Sequence, residues 1–167
     1  MPLIQSFWQL DVWKNAMDAG MEVFERSKSF PRDERYSMTD QIRRSSRSVA
    51  TNIAEAWRKR RYRAAFISKL SDAEAEAAET QTWIVFALRC QYIDREQARS
   101  LGTRYERITR QLVIMANDAD DWIVAESEES YGVQDQEHVH FLDDDERQIS
   151  EPGEEENSKD SSVDASS

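Results

Sequence analysis

Through the first two-thirds of the chain, apolar residues return every three or four positions, the period that gathers them on one side of an α-helix. The first run, from about Val12 to Ser27, sets Trp13, Met17, Gly20/Met21 and Phe24 on one stripe. It predicts an amphipathic helix with that stripe facing the core and Asp11 as its N-cap. The segment SKSFPRDERYS then breaks the period. Pro31 lacks the backbone N–H that an interior helical position needs, so a connection of roughly ten residues is expected there.

A second run begins near Thr39, with Ile42, Ser46, Val49, Ile53 and Trp57 on one face. Ser45, Ser48, Ala50 and Ala54 beside that face are small enough to let another helix approach closely. The third and longest run, Ala64 to Arg89, carries Phe66, Leu70, Ala73, Ala77, Thr80/Gln81, Ile84 and Leu88. Cys90 continues its apolar period and reads as a small core thiol, while Glu74, Glu76 and Glu79 read as its solvated face, flanked by Lys69 and Arg89. Asp94 with Gln97 three residues on is a capping-box start for a fourth helix, whose face is Ala98, Leu101, Tyr105, Ile108, Leu112 and Met115. That helix is expected to reach Asn117, with Ala119 to Trp122 adding a turn. Four amphipathic helices joined by short connections predict an all-α fold, an antiparallel up-and-down four-helix bundle over residues 8–120.

Composition agrees, since only 4 Gly and 3 Pro interrupt the chain's 167 residues. Charge divides it. Residues 1–117 hold 20 Lys+Arg against 15 Asp+Glu, whereas residues 118–167 hold 2 against 18. Residues 121–167 have too few large apolar groups to offset their ordering entropy and are expected to form a disordered acidic tail. Its one apolar island, VHFL at Val139 to Leu142, reads either as a docking motif or as a chance cluster.

Enzyme chemistry finds no foothold. The sequence has no Gly-rich phosphate loop, no CxxC, no HExxH and no nucleophile elbow. Both histidines, His138 and His140, fall in the tail, where nothing preorganises them as metal ligands, and the glutamates of the third helix lack the histidines of a di-iron bundle. A non-enzyme with no cofactor and no metal is therefore expected. No run of about 18 apolar residues occurs, the N-terminal apolar stretch has no basic residue before it, and the single cysteine suits a reducing compartment; these point to a cytoplasmic protein off the membrane.

The concentrated chemistry is basic. QIRRSSRS and WRKRRYR place Arg43, Arg44, Arg47, Arg58, Lys59, Arg60, Arg61 and Arg63 within about twenty residues. At about 100° per residue, Arg43, Arg47, Arg58 and Arg61 share one stripe if the helix is continuous. Arginine forks bind phosphate oxygens bidentately and release condensed counterions, so such a ridge can track a nucleic-acid backbone, with Tyr62 and Trp57 offering stacking to bases. The competing reading, weighed equally, pairs these arginines with carboxylates of neighbouring helices or subunits.

The segment from Leu10 to Arg60 resembles the N-terminal half of the bacterial four-helix bundle proteins known as 23S rRNA-intervening-sequence proteins, relatives of the Avd accessory protein of diversity-generating retroelements. The resemblance rests on Val12-Trp13, the FP-x-x-ERY turn at Phe30 to Tyr36, QIRR-S at Gln41 to Ser45 and NIAE at Asn52 to Glu55. It continues through Ala73 to Glu79 and Tyr92-Ile93 to about Asn117. It implies a bundle that assembles into a ring-like homopentamer with a basic surface able to bind RNA or DNA, and in some members engages a reverse transcriptase. The sequence departs from the family at Ala50, where proline is common, and at Ala56 and Gln91, where glycine is common. Asn52 and Glu55 read as hydrogen-bonding partners rather than as a polar site. The resulting expectation is a non-enzymatic, homo-oligomeric nucleic-acid binder, an accessory to a reverse transcriptase in one version. The alternative is an oligomeric scaffold whose acidic tail tethers a protein partner.

Overall fold

A computed structural model describes residues 4–124. The acidic segment beyond, with the VHFL island, His138 and His140, lies outside the described residues. Four helices, α1 (Asp11–Ser27), α2 (Asp40–Arg58), α3 (Arg63–Arg89) and α4 (Arg95–Asn117), form the bundle. Short 3-10 turns at Phe7–Gln9, Arg32–Glu34 and Ala119–Asp121 and a π-helical turn at Arg35–Thr39 complete the described secondary structure. The bundle is all-α, as the periodicity predicts.

Side-chain pairs show that neighbours run antiparallel. Ser45 meets Thr80 (2.9 Å) while Glu55, further along α2, meets Lys69 (2.8 Å), earlier on α3. Asn15 bonds Gln111 (2.9 Å) and Glu22 pairs with Arg104 (2.8 Å), so α4 returns along α1 and closes the square. Each numbering rises on one helix as it falls on the other, which is the up-and-down order.

The faces of α2, α3 and α4 are those read from the sequence. Ile42, Ser46, Val49, Ile53 and Trp57 are buried on α2, as are Phe66, Leu70, Ala73, Ala77, Thr80 and Ile84 on α3 and Leu101, Tyr105, Ile108, Leu112 and Met115 on α4. On α3 the last core position is Ala87, and Leu88 is only partly buried. The Asp94 capping box is present: Asp94 accepts from the Gln97 N–H (2.8 Å), and the Gln97 side chain accepts from the Asp94 N–H (3.0 Å).

Helix α1 departs from its reading. Its core face is Val12, Ala16, Ala19 and Val23, while Met17 and Met21 are exposed and Trp13 and Phe24 are partly covered. The small stripe faces the bundle interior, and the large residues with Gly20 border α2 at the surface. The Cβ that alanine would add at Gly20 stands 3.6 Å from the Ser46 carbonyl oxygen, in ordinary contact. Large side chains would force that approach apart. Asp11 is the first helical residue and Leu10 the N-cap, so Asp11 serves the helix dipole rather than the cap.

Three smaller expectations are settled as well. Cys90 is exposed, because α3 ends at Arg89 and the chain turns there with Gln91 at φ 61°. Glu76 is not a solvated surface group: its Oε2 is buried without a hydrogen-bond partner, and burial, with Glu79 nearby, pushes its carboxyl up from the ordinary range. In the NIAE element, Lys69 donates to the Asn52 side chain (3.3 Å) and to Glu55, so both residues stitch α2 to α3 as expected of partnered polar groups.

Candidate nucleic-acid interface

The eight basic residues fall into two groups. Arg43, Arg44 and Arg47 lie on the first half of α2, and Arg58, Lys59, Arg60, Arg61 and Arg63 surround the corner where α2 passes into α3. Helix α2 stops at Arg58, Lys59 leaves helical geometry, and Tyr62 is extended before α3 begins. The condition for a single stripe of Arg43, Arg47, Arg58 and Arg61 is therefore not met. Arg47 and Arg58 are eleven residues apart, about 16 Å along the axis, and Arg61 is on the turn.

Partners divide the groups further. Arg43 donates from Nε to the Ser27 hydroxyl (2.7 Å) and lies 4.9 Å from the centroid of the Phe24 ring, with Lys28 (4.7 Å) and Arg47 (5.8 Å) at the same ring. Arg44 bonds Gln41 (3.2 Å) and pairs with Glu79 (3.3 Å). These contacts secure α2 against α1 and α3, which is the structural reading of that half of the basic run.

The corner is built differently. Arg60 lays its guanidinium 3.2 Å from the centroid of the Trp57 ring and donates from Nε to the Trp57 carbonyl (2.8 Å). One arginine thus satisfies a terminal helix carbonyl and covers an aromatic face. Desolvation, with the Arg58 charge second, lowers its affinity for its proton. Trp57 is buried beneath it and offers no face to a base, whereas Tyr62 is 62% exposed. Arg63 pairs with Asp120 (2.7 Å). The side chains of Arg58, Lys59 and Arg61 are exposed and have no ion pair or hydrogen-bond partner among the described residues. Three unengaged cations beside an exposed tyrosine are what the corner presents to solvent.

Sequence reasoning missed a second surface. The α1 stripe assigned to the core lines a groove between α1 and α2, formed by Phe7, Trp13, Met17, Met21 and Phe24 over Ala54. On the opposite edge of the square, Val85, Leu88, Ala98 and Gly102, with Arg95, Arg99 and Glu106, line a second groove between α3 and α4. The signal was present in α1, where Val12, Ala16, Ala19 and Val23 form a second three-four stripe of small residues.

Among the described residues no helix is long and apolar enough to cross a membrane, and no three His, Cys, Asp or Glu side chains are grouped to hold a metal ion.

An all-helical bundle with these connecting motifs defines the class. The sequence model of the 23S rRNA-intervening sequence protein family matches residues 8–113, and the chain belongs to that family. It is similar to a crystal structure of a protein of unknown function from the S23 ribosomal protein family of Bacteroides thetaiotaomicron. The TM-score is 0.58 at 31% sequence identity, over 63% of this chain and 97% of that one. A search of curated proteins finds no match. Neither the family description nor that of the structural relative names a catalytic activity.

Proposed function

We propose that the protein is a non-enzymatic, homo-oligomeric nucleic-acid-binding protein that contacts the phosphate backbone through the α2–α3 corner. The observation that carries this reading is the corner itself: Arg58 at the end of α2 and Lys59 and Arg61 on the turn have no carboxylate partner among the described residues, and Tyr62 stands exposed among them. Unpaired cations on a fixed turn attract phosphates through charge and counterion release, a term nearly indifferent to base sequence. One such corner binds weakly; several on one assembly gain avidity.

Self-association is supported by the two grooves. They lie on opposite edges of the bundle, α1–α2 and α3–α4, and differ in shape and composition. An apolar groove on one edge and a mixed polar and apolar groove on the opposite edge suit head-to-tail contact between copies, the arrangement that closes into a ring. A pentamer is the ring size the family resemblance implies, and a reverse transcriptase is the enzyme it offers as partner.

Binding of labelled structured RNA and single-stranded DNA to the full chain across a salt series tests the reading. Affinity that falls linearly on logarithmic axes with salt supports it. Absence of binding at low salt by a folded, oligomeric protein would overturn it and favour the scaffold, for which the apolar α1–α2 groove is the specific support.

A further inference from the structure

The basic corner has an acidic neighbour within the same folded unit. After α4 the chain turns at Asp118, makes the 3-10 turn Ala119–Asp121 and reaches the α2–α3 corner. Ala119 is fully buried, and Trp122 and Ile123 pack partly against the core. The Val124 N–H donates to the Arg60 carbonyl (3.3 Å), so the returning strand is tied to the corner at its far end. Between these anchors Asp120 reaches Arg63 at 2.7 Å. Asp121, one residue on, makes no ion pair among the described residues.

We propose that residues 118–124 are a built-in phosphate competitor: a strap whose Asp120 carboxylate occupies the Arg63 guanidinium where a backbone phosphate would otherwise bind, and so limits the corner's affinity. This rests on the nucleic-acid reading of the corner and concerns its regulation. A carboxylate and a phosphate oxygen make the same charge-assisted bond to an arginine fork. The Arg63–Asp120 pair lies in solvent, with side chains 54% and 80% exposed. Exchange of one anion for the other therefore needs no buried charge to be uncovered. The strap's hold is set by position, because Ala119 and the Val124–Arg60 bond keep Asp120 close whether or not it is paired. Nucleic acid that engages Arg58, Lys59 and Arg61 first would then compete with Asp120 for Arg63 as its fourth contact.

The test is binding of a short labelled oligo-dT to the full chain and to three full-chain variants, Asp120→Asn, Asp121→Asn and Arg58→Glu/Arg61→Glu, across a salt series. Asp120→Asn is expected to tighten binding about two- to fivefold, the worth of an exposed ion pair. It is also expected to steepen the logarithmic salt slope by roughly 0.7, one additional phosphate on a single strand. Asp121→Asn removes the same charge without touching Arg63 and is expected to leave the slope unchanged. Equal effects from the two aspartates, or no effect of Asp120→Asn while Arg58→Glu/Arg61→Glu abolishes binding, would overturn the strap and leave the corner standing. Full binding by Arg58→Glu/Arg61→Glu would overturn the reading of the corner, and the strap with it.

Discussion

The Tyr92 hydroxyl donates to the Glu34 carboxylate at 3.1 Å, joining residues 58 positions apart in the chain. Phe30 lies 5.6 Å from the same tyrosine ring, centroid to centroid. Glu34 also accepts from the Ser37 hydroxyl and from the Met38 N–H (3.4 Å), which caps the π-helical turn leading into α2. Two segments that carry the family resemblance, FP-x-x-ERY and Tyr92-Ile93, are therefore the two sides of one tertiary contact. It pins the α1–α2 connection to the α3–α4 turn.

That contact predicts an acid limb in stability. The Ser37 hydrogen bond first, then those from Tyr92 and Met38, outweigh desolvation and hold the Glu34 carboxyl below its ordinary value of 4.5. A carboxyl depressed in the folded state contributes stability that is present above the unfolded value and lost as pH falls through the folded one. Tyr92→Phe is expected to lower Tm at neutral pH, and the difference from wild type should shrink as pH falls through and below the ordinary carboxyl range, where the carboxyl takes up its proton. A difference that does not change with pH would contradict this role.

Gln91 predicts the opposite kind of variant. It is an exposed non-glycine residue at φ 61°, in the left-handed region just past the end of α3 where glycine is preferred. The backbone cost of about 1–2 kcal/mol outweighs the added freedom of glycine in the unfolded chain, about 0.4–1 kcal/mol. Gln91→Gly should therefore stabilise the bundle by roughly 0.5–1 kcal/mol in chemical denaturation, with an unchanged slope. Destabilisation would show that the Gln91 side chain makes a contact worth more than the strain.

The two stripes of α1 make contrasting predictions. Ala19 is fully buried, and Ala19→Leu should cost about 1–3 kcal/mol through overpacking. Met21 is 54% exposed in the α1–α2 groove, and Met21→Gln should change the stability of one subunit by no more than about 0.5 kcal/mol. The same Met21→Gln change should weaken self-association in light scattering if the groove is a subunit interface. Unaltered assembly would place the interface elsewhere.

How much of this was legible in the sequence depended on whether size and burial coincided. On α2, α3 and α4 the stripe set by the three-four period faces inward, so periodicity alone named Ile53, Leu70 and Tyr105 as core, although Val85, Phe86 and Ile114 lie exposed outside it. On α1 the large residues and the buried residues occupy different stripes, and periodicity followed the large ones. Periodicity separates α2 from α3 near Ala64, but the exact end of α2 is not legible, because WRKRRYR contains neither glycine nor proline. The contact there is local: Arg60 folds back on the ring and carbonyl of Trp57, three residues earlier, where α2 ends. Cys90 was misplaced for a related reason, since the period runs on past the last helical turn. The basic residues were all visible as a run, but which of them carry partners was not, because Ser27, Glu79 and Asp120 lie far away in sequence.

On the proposed function, nucleic acid binds the unengaged cations of the corner rather than the arginines along α2, whose partners lie within the bundle. The most direct measurement compares RNA binding at low salt by two full-chain double variants of equal charge change, Arg58→Glu/Arg61→Glu and Arg43→Glu/Arg47→Glu, each checked for helicity and assembly. The account predicts that the corner variant loses binding by about tenfold or more, as removal of two phosphate contacts requires, while the α2 variant keeps most of it. Equal loss from both, or loss only from the α2 variant, would contradict it.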